Sequence, residues 1–419
     1  MSFREKARRW CGLDTEHSLE TLARACAGVL FGCAALAGCG GGSSEPTENI
    51  TPVSADDYVW NLPPGFPPPR IAPENPISEA KVELGRFLFY DRRMSVNETT
   101  SCATCHLPAM AFTDGLVTSV GALGEQHPRN ALSLTNVVYN ASQNWANPAT
   151  ITLHQQALVP LFNEFPVELG WSDREEEILD RFRRDAHYPK RFADAYPGEG
   201  VAISIPNVVK AVSSFVATMI SGDARYDQAN RPGATVTISE SARRGEALFF
   251  SERLECFHCH GGFNFSNAVD HSGVVFTQIE FHNNGLYNVD GQGAYPLGDR
   301  GLWDVTARDE DMGKFKAPTL RNIALTAPYM HDGSIATLDA VIDHYARGGR
   351  LIESGPNAGD GALNPHKSEL LVGFELSPQE RLDLVAFFES LTDWTFLCDK
   401  RFSDPFGEHA PHSACAVRE

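Results

Sequence analysis

Positive charge is scarce in this chain. Lysine and arginine number 35 against 54 aspartates and glutamates, giving a formal net charge of -19 over 419 residues. Nucleic acid and anionic lipid both need a clustered basic surface, so neither suits this protein, whereas a cationic redox partner does. Long hydrophobic runs are also lacking: the longest apolar stretch, 25–38, is too short to span a bilayer as a helix. Alternating strand patterns are few, which points away from an all-β fold. Cysteine is sparse outside particular places. Of ten, Cys11, Cys26, Cys33 and Cys39 fall in the leader, four sit in two CxxCH motifs, and only Cys398 and Cys415 are left over. In an oxidising compartment those two are positioned by elimination to form a disulfide, two free thiols being the alternative.

The leader carries a basic start (Arg4, Lys6, Arg8, Arg9) before its apolar run and small residues ahead of Cys39. Leu36-Ala37-Gly38-Cys39 resembles a bacterial lipobox, predicting a signal peptide over 1–39, a lipid-modified Cys39 and a flexible tether over 40–55. Ordinary signal cleavage is the competing reading. Both place the working protein in the periplasm, and the first tethers it to a membrane.

The rest of the chain contains a degenerate repeat. Ile77-Ser78-Glu79 leads through Gly85-Arg86-Phe87-Leu88-Phe89 to Cys102-Ala103-Thr104-Cys105-His106, and Ile238-Ser239-Glu240 leads through Gly245-Glu246-Ala247-Leu248-Phe249 to Cys256-Phe257-His258-Cys259-His260. Each serine reads as the N-cap of a short helix that delivers the chain to its cysteine motif. Two copies predict two similar domains, 56–232 and 233–419, joined through the turn-rich stretch 222–235. Further helices are predicted at 174–184 behind a capping box opened by Ser172, at 208–220, and from Ser377-Pro378-Gln379-Glu380 onward. The Pro-rich stretch 61–76 cannot be helical. The expected architecture is mostly α with long loops: two cytochrome c-like haem domains in one chain.

CxxCH is the attachment sequence of c-type haem. Two thiols, Cys102 with Cys105 or Cys256 with Cys259, add to the vinyl groups, and the adjacent His106 or His260 becomes an iron ligand. A zinc site is the structural alternative, disfavoured by the fixed histidine and the wide separation of the pairs. Candidates for a second axial ligand after His260 are Met312, Met330, His331, His344 and Tyr345, and composition does not choose among them.

Lys316-Ala317-Pro318-Thr319-Leu320-Arg321-Asn322, Leu325-Thr326-Ala327-Pro328-Tyr329-Met330-His331-Asp332-Gly333 and Thr337-Leu338 together resemble the C-terminal motifs of the diheme cytochrome c peroxidase and MauG family. The likeness runs from about Leu84 to Leu391. It implies an enzyme that uses hydrogen peroxide. The family's sixth ligand lies eight residues after the threonine of Thr337-Leu338, methionine in the peroxidases and tyrosine in MauG; here that position is Tyr345. A phenolate is a hard anionic donor that favours ferric iron, where a thioether favours ferrous.

The resemblance also implies an acid over the first haem at Glu168, with Glu164 as second choice, and a supporting Gln156. It implies an electron relay at Trp145 and a calcium ion held through Asn130, Thr326 and Pro328. Ala122 falls where many of the peroxidases carry a closing histidine, so an open first haem is expected, with His127 as the substitute if the loop shifts. The opening Tyr58-Val59-Trp60-Asn61-Leu62-Pro63 and Trp145-Ala146-Asn147-Pro148 are most similar to MauG-like enzymes of methanobactin clusters. That implies long-range oxidation of a residue, tryptophan by analogy, on a periplasmic copper-binding protein. The alternatives are an ordinary cytochrome c peroxidase drawing electrons from a small redox protein, and a non-catalytic diheme carrier.

Overall fold

A serine opens each copy of the repeat as the sequence predicts: Ser78 Oγ accepts from the Lys81 N–H at 3.3 Å and Ser239 Oγ from the Ala242 N–H at 3.0 Å. The computed structural model describes residues 58–277 and 279–417, so the leader, Cys39 and the tether lie outside the described residues. From the first half come helices α1 (Glu79–Tyr90), α2 (Cys102–Cys105), α3 (Leu153–Phe162), α4 (Glu175–Arg183), α5 (Tyr188–Ala195), α6 (Ile205–Ala217) and α7 (Arg225–Asn230). The second half adds α8 (Glu240–Phe249), α9 (Cys256–His260), α10 (Trp303–Thr306), α11 (Leu338–Arg347), α12 (Pro378–Ser390) and α13 (Trp394–Leu397). Strands among the described residues are confined to an antiparallel pair, β1 (Leu351–Ile352) and β2 (Gly359–Asp360), with Leu351 opposite Asp360. The fold is therefore mostly helical with long connections.

The repeat extends to packing. Helix α1 lies on α6 and α8 lies on α12, and each contact is made through the repeat's glycine. A Cβ on Gly85 would stand 2.0 Å from the Ala211 carbonyl oxygen, and one on Gly245 1.9 Å from that of Asp383. No side chain fits either place, so the helix before each CxxCH is drawn against its partner backbone.

Two sequence expectations are corrected in detail. Ser172 does not cap α4; the N-cap is Arg174, and Ser172 Oγ instead donates to the Phe162 carbonyl. The stretch 222–235 is not all turn, since it holds α7, whose neighbours Ser221, Gly222 and Asp223 all donate to Asp393 Oδ2. The box at Ser377 forms as predicted, with Glu380 N–H to Ser377 Oγ and Ser377 N–H to Glu380 Oε2.

All described residues belong to one compact unit, 55–419. Its largest hydrophobic cluster gathers α1, α5 and α6 around Leu84, Phe89, Trp171, Phe192 and Phe215. The C-terminal tail joins that cluster through Phe396, Leu397 and Phe402, held by a disulfide between Cys398 and Cys415. A second cluster, around Phe249, Phe265 and Phe387, packs α8 against α12.

Candidate haem sites

The two CxxCH motifs reach the same local geometry. His106 Nδ1 lies 2.9 Å from the Phe112 carbonyl oxygen, and His260 Nδ1 3.2 Å from that of Phe265. Both phenylalanines have left-handed backbones, φ 62° and 49°, which turns their carbonyls back onto the ring. A histidine that donates from Nδ1 to a carbonyl presents an unprotonated Nε2, the form that binds iron. Burial pushes both imidazoles down, His260 to about 4, so both stay neutral at ordinary pH. Cys102, Cys105, Cys256 and Cys259 take part in no disulfide.

A cavity of about 390 Å³ adjoins His106, with Cys102 and Cys105 on its wall. Gln156, Glu168, Trp145 and His127 also line it. Gln156 rides on α3, whose start is fixed by a reciprocal box: Gln155 N–H to Thr152 Oγ1 at 3.3 Å and Thr152 N–H to Gln155 Oε1 at 3.1 Å. Its own Oε1 is buried with no protein partner, an acceptor left for whatever fills the cavity. The residues present thus fit a covalently attached haem: two thiols, an oriented imidazole, a cavity beside them and an orphaned polar atom on a residue of its wall.

Glu168 is fixed by its backbone. The Leu169 N–H donates to the Pro160 carbonyl at the end of α3, and the Glu168 carbonyl accepts from Ala122 N–H at 2.8 Å. Glu164, the second choice from sequence, is exposed and absent from the cavity wall. Ala122 is likewise off the wall, and His127 takes the place on it. His127 Nε2 is 3.1 Å from Glu168 Oε1.

Trp145 faces two ways. It lines the His106 cavity, and it packs against a cluster in the second half built of Tyr287, Tyr295, Phe315 and Tyr329. Its indole N–H donates to the Asn130 carbonyl at 2.9 Å, and its carbonyl accepts from Lys316 N–H. Asn130 is tied in turn to the Thr326 to His331 segment, its N–H donating to the His331 carbonyl at 2.8 Å. Thr326 Oγ1 donates to the Ile323 carbonyl, so the contact between Asn130 and His331 is what joins Asn130 to the segment carrying the rest of the expected calcium set.

At the second motif the five ligand candidates separate. Met312 accepts from Asn283 Nδ2 through its carbonyl, and His331 is buried in a stack 3.6 Å from Phe315. His344 is buried, and desolvation pushes it down to about 4. Met330 Sδ accepts from Asn284 Nδ2 at 3.3 Å. Tyr345, on α11, is half-buried, its hydroxyl pushed up to about 12 by desolvation, relieved in part by a hydrogen bond to Asn284 and raised further by the Cys259 and Cys256 thiols nearby. Asn284, which sequence reasoning passed over, therefore touches both Tyr345 and Met330. It sits in an Asn-rich loop whose sequence carries no periodic signal.

Residues 79–234 match the family model described as di-haem cytochrome c peroxidase. The methylamine utilization protein MauG of Methylorubrum extorquens is 31% identical over 364 residues, covering 87% of this chain and 92% of that one. Cytochrome c551 peroxidase of Pseudomonas aeruginosa is 32% identical over 268 residues, 64% of this chain and 72% of its own. A crystal structure of a MauG-like protein associated with microbial copper homeostasis superposes with a TM-score of 0.81 at 48% identity, covering 83% of this chain and 99% of that one.

Proposed function

The chain belongs to the diheme cytochrome c peroxidase and MauG family, and from that premise we propose that it is a MauG-like oxidase, which uses hydrogen peroxide to oxidise a residue of a partner protein at long range. Two c-type haems accompany the family and supply the redox chemistry when bound. We assign them to two cytochrome c-like portions, 56–232 and 233–419, through His106 and His260. The protein's own residues do the rest. Glu168 moves a proton from one oxygen of hydrogen peroxide to the other, so that water leaves, and Gln156 accepts a hydrogen bond in the same cavity. Trp145 shortens the electron's path by lying between the cavity and the second-half aromatic cluster.

The observation that carries this reading is the place of Tyr345 on α11 near both Cys256 and Cys259. A phenolate ligand stabilises oxidised iron and so lowers the tendency to accept electrons from a donor. The relative tied to copper homeostasis supports a copper-binding protein as the partner. The leader supports a periplasmic location with a lipid anchor at Cys39, and calcium through Asn130, Thr326 and Pro328 completes the proposal.

Electron paramagnetic resonance of the ferric protein before and after one equivalent of peroxide, beside Tyr345→Met, tests it. One high-spin and one low-spin signal, both lost on peroxide without donor and only in the wild type, is the expected result. Two peroxide-inert low-spin signals would leave an electron carrier. One specific contact favours the ordinary peroxidase: His127 reaches Glu168 on the cavity wall, where a closing histidine would act. In that case the ferric form stays inert until half-reduced.

A further inference from the structure

Long-range oxidation needs a place near the surface where the oxidising equivalent can wait, and the second-half aromatic cluster contains a tyrosine built for it. Tyr287 is buried at 6% exposure, its ring 5.4 Å from Tyr295, in the cluster against which Trp145 packs. Tyr295 continues to Phe315 at 6.3 Å. The Tyr287 hydroxyl donates to Asp332 Oδ2 at 2.5 Å, and the partly exposed Asp332 is held by the Ser334 N–H on Oδ1. A phenol that loses an electron becomes a strong acid, so its oxidation is easy only where a base stands ready for the proton. A carboxylate at hydrogen-bond distance is such a base.

The described tyrosines differ in this respect. Tyr295 donates to the neutral amide of Asn283, and Tyr329, Tyr139, Tyr90 and Tyr196 donate to backbone carbonyls. Tyr188 does face a carboxylate, Asp91, but Arg93 already pairs with the same oxygen at 2.7 Å. Glu246, near Tyr226, is likewise paired with Arg243. Asp332 carries no ion pair among the described residues, so the Tyr287 hydroxyl shares it with no cation.

We propose that Tyr287 is a redox relay, oxidised reversibly with transfer of its phenolic proton to Asp332, on the route from the peroxide-oxidised interior to the protein substrate. The inference rests on the long-range oxidation proposed above. In the step, one electron leaves the Tyr287 ring for the oxidising equivalent delivered by hydrogen peroxide. The phenolic O–H bond breaks and a new O–H bond forms on Asp332. The substrate residue then returns one electron, Asp332 returns the proton, and the phenol is restored. Two passages match the two-electron reduction of hydrogen peroxide to water.

The test uses the haem-loaded full chain, with ring-deuterated tyrosine, frozen after one equivalent of peroxide. Optical spectra report haem oxidation, and electron paramagnetic resonance reports any tyrosyl radical. The expected result is a tyrosyl signal that narrows on deuteration, is lost in Tyr287→Phe, is diminished in Asp332→Asn and persists in Tyr188→Phe, with haem oxidation by peroxide retained throughout. Normal haem oxidation with no tyrosyl signal, or with a signal that survives in Tyr287→Phe, would overturn the relay and leave the proposed function standing. No optical response to peroxide in the wild type would overturn both.

Discussion

His127 Nε2 lies 3.1 Å from Glu168 Oε1, joining two residues 41 positions apart on the wall of the His106 cavity. The contact holds the carboxylate that the proposed proton transfer depends on, and each side chain is about a quarter exposed. Glu168→Gln keeps the shape and removes the base, so the second-order rate of reaction with hydrogen peroxide should fall by about 10²-fold or more. His127→Ala should lower it less if the imidazole only orients the carboxylate. Stopped-flow spectra of both variants separate the roles, and a faster His127→Ala would identify His127 as a closing group.

Gly85→Ala should destabilise the protein by about 2 to 3 kcal/mol, because the new methyl meets a backbone carbonyl that cannot rotate aside. Gly245→Ala makes the same clash with Asp383 and should behave alike. A lowered thermal midpoint with reduced covalent haem content at the neighbouring motif is the expected outcome. Unchanged midpoints would show that α1 and α8 can shift off α6 and α12.

Cys398→Ser opens a loop whose ends are 17 residues apart, for which the entropic contribution is about 3 kcal/mol. The tail fastened by this bond supplies Phe396, Leu397 and Phe402 to the largest cluster, and the Tyr90 hydroxyl donates to the Phe402 carbonyl. Limited proteolysis should therefore release the tail of the variant first, before either haem region is cut. Uniform digestion would contradict a local role.

Lys316 is almost wholly buried, its ammonium group donating to the Ser142 carbonyl at 2.6 Å, and desolvation pushes it down to about 7. The unfolded chain holds this proton up to the ordinary lysine range near 10.4, so between the two values the unfolded state binds more protons. Stability from this group therefore rises as pH increases through that window, and the burial penalty is fully felt below about 7. Thermal midpoints of the wild type and Lys316→Met across this range should converge at high pH and favour the variant most at low pH. Parallel curves would mean that the lysine does not titrate there.

Much of this protein was decided by its sequence. Covalent chemistry needs only local spacing, so the two CxxCH motifs marked Cys102, Cys105, His106, Cys256, Cys259 and His260 as haem-site candidates without a fold. Local capping rules predicted the starts of α1, α8 and α12, because a serine and the turn after it are the whole of that interaction. Sequence left Cys398 and Cys415 as a possible pair or two free thiols, and the fold brings them together in a disulfide. Tertiary structure decided what depends on loops of irregular backbone. It put His127 rather than Ala122 on the cavity wall, exposed Glu164 while turning Glu168 inward, and drew Asn284 to both Tyr345 and Met330. It also set Tyr287 against Asp332, 45 positions away. Such contacts join side chains across stretches with no periodic pattern, and where those stretches meet depends on packing such as that of α1 on α6 and α8 on α12.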